Sequence, residues 1–415
     1  MSFFAVSDRT LAELAFKAPG PFFVYSRAVA RKRWDRLASV LPPRVRLAYA
    51  VKANPNPGLL SIFAKEGAAF DCASGGELDR AARALAKARP FAGTRAGTRA
   101  GSRSADSGQD SPGPGNLLFY GGPGKRADEI RRALRLGARI HAESVEDLAL
   151  VDRFSRKPTA VNLRVHPVSG VEEGSRIIGG TGPSAFGVDE ENLARILHIA
   201  KRFTRVRIEG IHVFAASNER DAAKLARTYD TVLGLSRKAT QAFGLDLRQI
   251  DLGGGLGLAY ARGEDELDIE ALGRSLGVLL EKHDWFRGEL VLEPGRWLAG
   301  PCGVYTARVV RVKESRGVRF VILEGGINHL LRPLLTGQPF PVRAFRADGT
   351  SIEGDAGPAT LTGPLCTSLD RLGDVLLPGL DAGDYVAFGR TGAYGSTEAM
   401  TRFLCHPEAR EYWVP

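Results

Sequence analysis

The chain has 415 residues, 44% of them hydrophobic and 25% charged, which is enough to bury the cores of two domains. No run approaches the roughly 18 apolar residues of a membrane helix, and Met1–Phe16 carries Asp8 and Glu13, unlike a secretion signal, so a cytoplasmic protein with no membrane partner is expected. The formal charge of +10 is spread along the chain with no nucleic-acid motif, so it reads as a solvated basic surface, compatible with an acidic carrier or substrate and not with nucleic acid.

In chain order, the first strand signal is Pro21-Phe22-Phe23-Val24-Tyr25. The second is the apolar run from Arg46 that stops on Lys52 before an Asn54-Pro55 turn. Lys52 therefore sits at the C-terminal end of a strand. A desolvated lysine there can lose its proton and attack a carbonyl, although a surface lysine with a snorkelling side chain fits the same segment.

Seven further short apolar runs follow: Ala68–Cys72, Leu117–Tyr120, Ala138–Ala142, Val161–His166, Ile208–Phe214, Leu247–Leu252 and Glu289–Glu293. Between them, apolar residues recur at three and four in Glu77–Lys87, Arg126–Leu136, Val145–Phe154, Glu190–Phe203, Arg220–Phe243 and Ile269–His283. Strand and helix repeated eight times is the sequence form of an α/β protein with a (β/α)8 TIM barrel, here over residues 26–297. One segment departs from the pattern. Residues 92–115 repeat Ala/Gly/Thr/Ser/Arg without apolar positions and read as a disordered insertion before the third strand.

After residue 298 the pattern changes to β runs without helices, at Gly303–Lys313, Arg319–Leu323, Pro341–Ala347 and Tyr385–Phe388. That reads as an all-β domain of residues 298–415 joined by 1–25.

Barrel chemistry gathers at the C-terminal strand ends, which here carry Lys52, Asp71, Arg164, His166, His212, Phe214, Gly253-Gly254-Gly255-Leu256-Gly257, Glu293 and Arg296. A glycine run by itself suits a plain tight turn, but its place after the seventh strand favours a phosphate bound by backbone N–H groups and a helix N-terminus. The cysteines Cys72, Cys302, Cys366 and Cys405 have no paired spacing, which argues against a metal site and against a disulfide framework.

Six collinear segments carry a family resemblance: Tyr49-Ala50-Val51-Lys52-Ala53-Asn54, Phe70 through Leu78, Gly253-Gly254-Gly255, Glu293-Pro294-Gly295-Arg296, Gly363-Pro364-Leu365-Cys366 and Gly392-Ala393-Tyr394. Together they resemble the fold-type III pyridoxal-phosphate decarboxylases, the alanine-racemase-like barrels that include the diaminopimelate, ornithine and arginine decarboxylases. The resemblance implies pyridoxal 5'-phosphate held by Lys52 as a Schiff base, with Glu293 against the pyridine nitrogen. It implies that Gly253, Gly254, Gly255, Arg296, Ser217 and Tyr394 surround the phosphate, that Asp71, Glu77 and Arg164 position lysine and ring, and that Cys366 reprotonates the α-carbon. In that family Cys366 reaches the site from the second subunit of a homodimer.

Glu293 also bears on reaction type, since a carboxylate at the ring nitrogen suits decarboxylation, whereas alanine racemase places an arginine there. The plainer reading of Glu293 is a rim ion pair with Arg296. A racemase or epimerase on the same barrel, and a non-catalytic regulator that would have lost Lys52 or Cys366, are the alternatives.

Two departures stand out. Phe214 replaces the histidine that stacks on the ring in diaminopimelate enzymes, leaving His212 as a satisfied rim histidine. Thr367 follows Cys366 where those enzymes carry a glutamate that reads a distal ammonium. Arg332 keeps the family's substrate-contacting arginine, with Leu335 in place of the expected tyrosine. Cations without an acidic partner favour a substrate with a neutral or acidic distal end, contacted by Arg332, Thr367 and Tyr394. That pattern resembles family members in biosynthetic clusters, which act on a glutamyl group on a carrier protein or on citryl-diaminopropionate in siderophore assembly.

Overall fold

The computed structural model describes residues 3–88, 117–169, 182–214 and 216–415. The expected insertion at 92–115 lies outside them. Each of the eight sequence runs forms a strand: Val45–Ala50, Ala69–Cys72, Leu118–Tyr120, Arg139–Ala142, Thr159–His166, Val206–His212, Gln249–Asp251 and Glu289–Leu292. All pair in parallel with their chain neighbours, and the eighth pairs with the first through Leu290 and Val45, which closes the barrel.

The helices begin and end where local chemistry directs. Asp221 accepts the N–H groups of Ala223 and Lys224 and starts Ala222–Phe243, and Gly244 (φ 66°) ends it. Ser144 caps Val145–Phe154, and Asp268 caps Ile269–Lys282. The eighth unit differs from the expected repeat, because the eighth strand leads only into the short helix Arg296–Ala299. Helix Arg27–Val40, which precedes the barrel in sequence, packs against Ile269–Lys282 and Pro57–Lys65 and closes the ring of helices.

The barrel interior holds a polar column. It runs from the Arg46–Glu289 ion pair (2.6 Å) at the N-terminal end through Gln249, whose amide donates to Glu289 (2.9 Å). Asn162 then donates to Gln249 (2.8 Å) and lies 3.2 Å from His141 Nε2. Such a column is tolerated because its members satisfy one another, and it leads directly to the C-terminal mouth.

The C-terminal β domain is built on the long strand Gly303–Ser315, which pairs antiparallel with Val318–Leu323 and with Tyr385–Gly389. Val342–Phe345 extends one side and Gly357–Thr362 with Arg371–Leu377 the other. As expected, the early strand Phe22–Ser26 joins this sheet, antiparallel to Gly303–Thr306 and parallel to Arg410–Val414. Two bonds tie the domain to the turn after the first barrel strand: Tyr394 N–H to Ala53 O (2.8 Å) and Asn54 Nδ2 to Gly392 O (2.9 Å). They fix the β domain over the barrel mouth. Among the described residues no helix is long and apolar enough to cross a membrane.

Candidate active site

A cavity of about 760 Å³ lies between the barrel mouth and the β domain. Of the sequence-derived candidates, Lys52, Asp71, Arg164, His166, His212, Phe214, Ser217, Glu293, Arg296, Arg332 and Tyr394 line it, with Glu77 beside them. Lys52 stands in the single turn Val51–Ala53 directly after its strand. Its Nζ is 3.4 Å from Asp71 Oδ2 and 4.8 Å from the centroid of the Phe214 ring.

Burial alone would lower the Lys52 pKa, but the carboxylates of Asp71 and Glu293 outweigh it and hold the ammonium above its ordinary value. The expectation that desolvation frees this lysine of its proton is thereby corrected. The neighbouring carboxylates keep it charged.

Beneath Lys52, the tops of four strands bring His141, His212, Asp251 and Glu293 together, all buried, with ligand atoms within 4.8 Å of one another. His212 Nε2 is 3.5 Å from Glu293 Oε2, and His141 Nε2 is 3.6 Å from Asp251 Oδ2. His212 is not the satisfied rim histidine expected, since neither ring nitrogen has a hydrogen-bond partner among the described residues. Burial, assisted by the Arg164 charge, pushes it down to about 3. Burial and the neighbouring His212 keep His141 well below the usual range too. Asp251 moves the other way, raised by burial and by the facing Glu293. Two imidazoles pushed toward their neutral form and an aspartate whose carboxyl is pushed up surround Glu293.

This arrangement has a stability consequence. A histidine whose folded pKa lies below its unfolded 6.5 costs stability as pH falls from 6.5 toward about 3, because only the unfolded chain takes the proton. Between pH 6.5 and 5 the protein should lose about 1.6 kcal/mol more than His212→Asn, with the slope approaching about 1.4 kcal/mol per pH unit at the acidic end. Urea unfolding at a series of pH values measures this, and parallel curves for the two proteins would contradict the assignment.

Glu293 does not pair with Arg296. Its Oε1 has no partner among the described residues. Arg296 Nη1 instead donates to Tyr260 Oη (3.2 Å), and its guanidinium lies 4.8 Å from the Tyr394 ring centroid. Tyr394 holds this place with φ 58°, a left-handed conformation uncommon outside glycine and typical of strained functional positions.

The glycine run differs from its expected role. The next helix starts only at Ile269, so no helix N-terminus adjoins it, and the Gly253 N–H is engaged by Asp251 Oδ1 (2.9 Å). Neither Gly253, Gly254 nor Gly255 lines the cavity. Close approach explains them, since a Cβ at Gly254 would lie 2.7 Å from Glu293 O, and one at Gly253 2.7 Å from Val213 O. They let the seventh strand end sit tightly between Phe214 and Glu293.

Cys366 and Thr367 stand apart. Cys366 is exposed, and neither residue lines the cavity of its own chain. Cys72 and Cys302 are buried.

Three residues with no sequence signal, Glu143, Phe186 and Glu398, meet the arginines of the site. Arg164 donates to Glu143 Oε1 (3.2 Å), and its guanidinium lies 4.8 Å from the centroid of the Phe186 ring. Arg332 Nη1 donates to Glu398 Oε2 at 2.7 Å. The expectation of cations without an acidic partner is therefore corrected, because Glu398 sits 66 positions away in sequence and no local motif announces it.

The family model for the pyridoxal-binding domain of pyridoxal-dependent decarboxylases matches residues 27–93 and 109–300. The L-glutamyl-(BtrI acyl-carrier protein) decarboxylase of Niallia circulans is 28% identical over 399 residues, covering 93% of this chain and 87% of that protein. The diaminopimelate decarboxylase of Thermoplasma acidophilum is 30% identical over 391 residues, covering 94% of this chain and 86% of that protein. Among solved structures, diaminopimelate decarboxylase from Helicobacter pylori complexed with L-lysine superposes with a TM-score of 0.82 at 25% identity, over 98% of this chain and 94% of that one.

Proposed function

The chain belongs to the pyridoxal-dependent decarboxylases, and from that membership we propose that it removes the α-carboxylate of an amino acid or amino-acid conjugate, with pyridoxal 5'-phosphate held on Lys52. The observation that carries this reading is the placement of Lys52, Asp71, Phe214 and Glu293 in one cavity, with Glu293 Oε1 buried and without a partner among the described residues. An orphaned carboxylate oxygen in so dry a position calls for a donor from a bound group. A pyridinium N–H meets that need.

Bound there, the cofactor supplies an aldehyde that condenses with amines and a ring that accepts the electron pair left behind by departing carbon dioxide. The protein's own residues supply the rest. Asp71 takes and returns the proton of Lys52 Nζ, which it already faces. Glu293 keeps a proton on the ring nitrogen. Phe214 offers an aromatic face. Arg296, Ser217 and Tyr394 hold the phosphate, and Arg164 positions the ring. Arg332, Tyr394 and Thr367 meet the substrate. Cys366 delivers a proton to the α-carbon from across a homodimer interface, a reading supported by its exposure beside Leu369, 58% exposed.

A carboxylate rather than a guanidinium beside the buried end of the cavity favours decarboxylation over racemisation. Retention of Lys52, Glu293 and Cys366 disfavours a non-catalytic regulator. The test is incubation of the purified protein with free amino acids, a citryl conjugate and a glutamyl-carrier protein, following carbon dioxide and product mass. Exchange of the α-proton with full retention of the carboxylate would replace this reading with racemisation.

Glu293→Gln should still bind the cofactor but lose roughly 10²–10³ in kcat, the scale of a removed electrostatic partner in a buried site. Steady-state kinetics decides it, and an unchanged kcat would remove Glu293 from the mechanism.

A further inference from the structure

Cys366 sits in the connection between two antiparallel strands of the β domain, Gly357–Thr362 and Arg371–Leu377. Cys366, Ser368 and Leu369 are exposed there, whereas Leu365 and Asp370 on either side are buried. An exposed turn of this kind samples many shapes unless something holds it. The Asp370 carboxylate does so. Its Oδ2 accepts the N–H of Leu365, next to the cysteine, at 2.7 Å. Its Oδ1 accepts the N–H of Ile327 at 2.8 Å, in the segment that follows the neighbouring strand Val318–Leu323. The main chain of Asp370 adds two longer bonds to the turn, accepting from Gly363 at 3.3 Å and donating to Thr367 O at 3.2 Å. Glycine is required around the carboxylate, since a Cβ at Gly326 or Gly363 would overlap it.

We infer that Asp370 is a positioning residue, whose buried carboxylate clamps the Cys366 turn to the segment around Ile327 and so sets where the thiol meets the α-carbon. This rests on the decarboxylase reading, with Cys366 as its acid, and deepens it. Asp370 is 3% exposed and spends both carboxylate oxygens on main-chain donors, one 5 and one 43 positions away. One rigid carboxylate thereby holds two distant stretches of chain at a fixed separation. The other ties of the turn, such as Thr367 N–H to Leu365 O at 2.8 Å, are local, so they shape the turn without fixing where it stands. A general acid must stand within hydrogen-bond reach of the atom it protonates, and a displacement of about 1 Å can cost about 10²-fold.

The test compares Asp370→Asn with Cys366→Ala in the cofactor-loaded protein, once thermal melting has shown both to be folded. The first readout is hydrogen exchange by mass spectrometry, in which peptides covering 363–370 and 325–331 should exchange about 10-fold or more faster in Asp370→Asn. The second is where the proton goes, using whichever of the free amino acids, citryl conjugate and glutamyl-carrier protein releases carbon dioxide fastest with wild type. When the thiol is misplaced, the proton reaches the cofactor's aldehyde carbon instead of the α-carbon, and water then releases an aldehyde and leaves the amino group on the cofactor as pyridoxamine phosphate. Pyridoxamine phosphate formed per carbon dioxide released should rise about 10-fold or more in Asp370→Asn, toward the Cys366→Ala value, while kcat falls about 10- to 100-fold. Gly326→Ala crowds the same carboxylate from the other segment and should raise the same ratio, and it carries the test if Asp370→Asn fails to fold.

Mixing Asp370→Asn with Lys52→Ala sets the intact Cys366 turn of one chain at the intact Lys52 of the other, so the ratio should return close to the wild-type value. Unchanged exchange or an unchanged ratio in the folded variant overturns the inference. So does a ratio that stays high in this mixture while the mixture of Cys366→Ala with Lys52→Ala recovers. A Cys366→Ala ratio equal to wild type removes the acid and the inference with it. None of these results touches the decarboxylase reading, which stands or falls on carbon dioxide release by the wild-type protein.

Discussion

Borohydride added to the cofactor-loaded protein should fix a pyridoxyl group on Lys52 and on no other lysine, and Lys52→Ala should lower turnover by roughly 10⁴-fold or more, as loss of a covalent catalyst does. The prediction rests on position. Lys52 Nζ lies in the cavity between a carboxylate at 3.4 Å and an aromatic ring at 4.8 Å, with the buried Glu293 adding to its charge. Because Asp71 and Glu293 hold the ammonium protonated, the amine form that attacks an aldehyde is scarce at neutral pH, and cofactor loading should speed up as pH rises. Peptide mapping after reduction reads the site directly. A label recovered on another lysine, or a protein that stays colourless with added cofactor, would sink the assignment.

Cys366→Ala should keep cofactor binding intact and lose roughly 10²–10⁴ in decarboxylation rate, the usual worth of a positioned general acid. Cofactor binding is spared because the residue lies outside the cavity of its own chain, away from Lys52, Glu293 and Arg296. Without the thiol, protonation at the wrong carbon should divert part of the flux to an aldehyde and pyridoxamine phosphate. If the thiol serves the partner's cavity, mixing Cys366→Ala with the inactive Lys52→Ala should recover about a quarter of wild-type activity, since half the dimers formed at random are hybrids with one intact site of two. Unchanged turnover in Cys366→Ala would dismiss the acid. No recovery on mixing, with subunit exchange demonstrated, would dismiss the shared site.

What the amino-acid sequence determined by itself was local. Short apolar runs ending in turn residues located all eight barrel strands within a few positions, because a strand buried on both faces must be apolar throughout and must stop where Asn-Pro or Gly allows. The same logic put Lys52, Asp71, Arg164, His212 and Glu293 at the strand ends and hence around one mouth. It missed Gly357–Thr362, Arg371–Leu377 and Arg410–Val414, whose strand form depends on partners. Arg371–Leu377 exposes alternate residues and is ordered by pairing with Gly357–Thr362, and Arg410–Val414 by pairing with Phe22–Ser26 across nearly the whole chain.

Tertiary structure alone decided the electrostatics. Closing the barrel brings His141, His212, Asp251 and Glu293 together from four strands, and only that shared burial lowers two histidines and raises an aspartate. Folding of the β domain likewise sets Glu398 against Arg332 and gives that cation the acidic partner that no local motif announces. Periodicity and turn chemistry act over a few residues and are written in the sequence, whereas desolvation and ion pairing depend on distances that exist only after the chain has closed on itself.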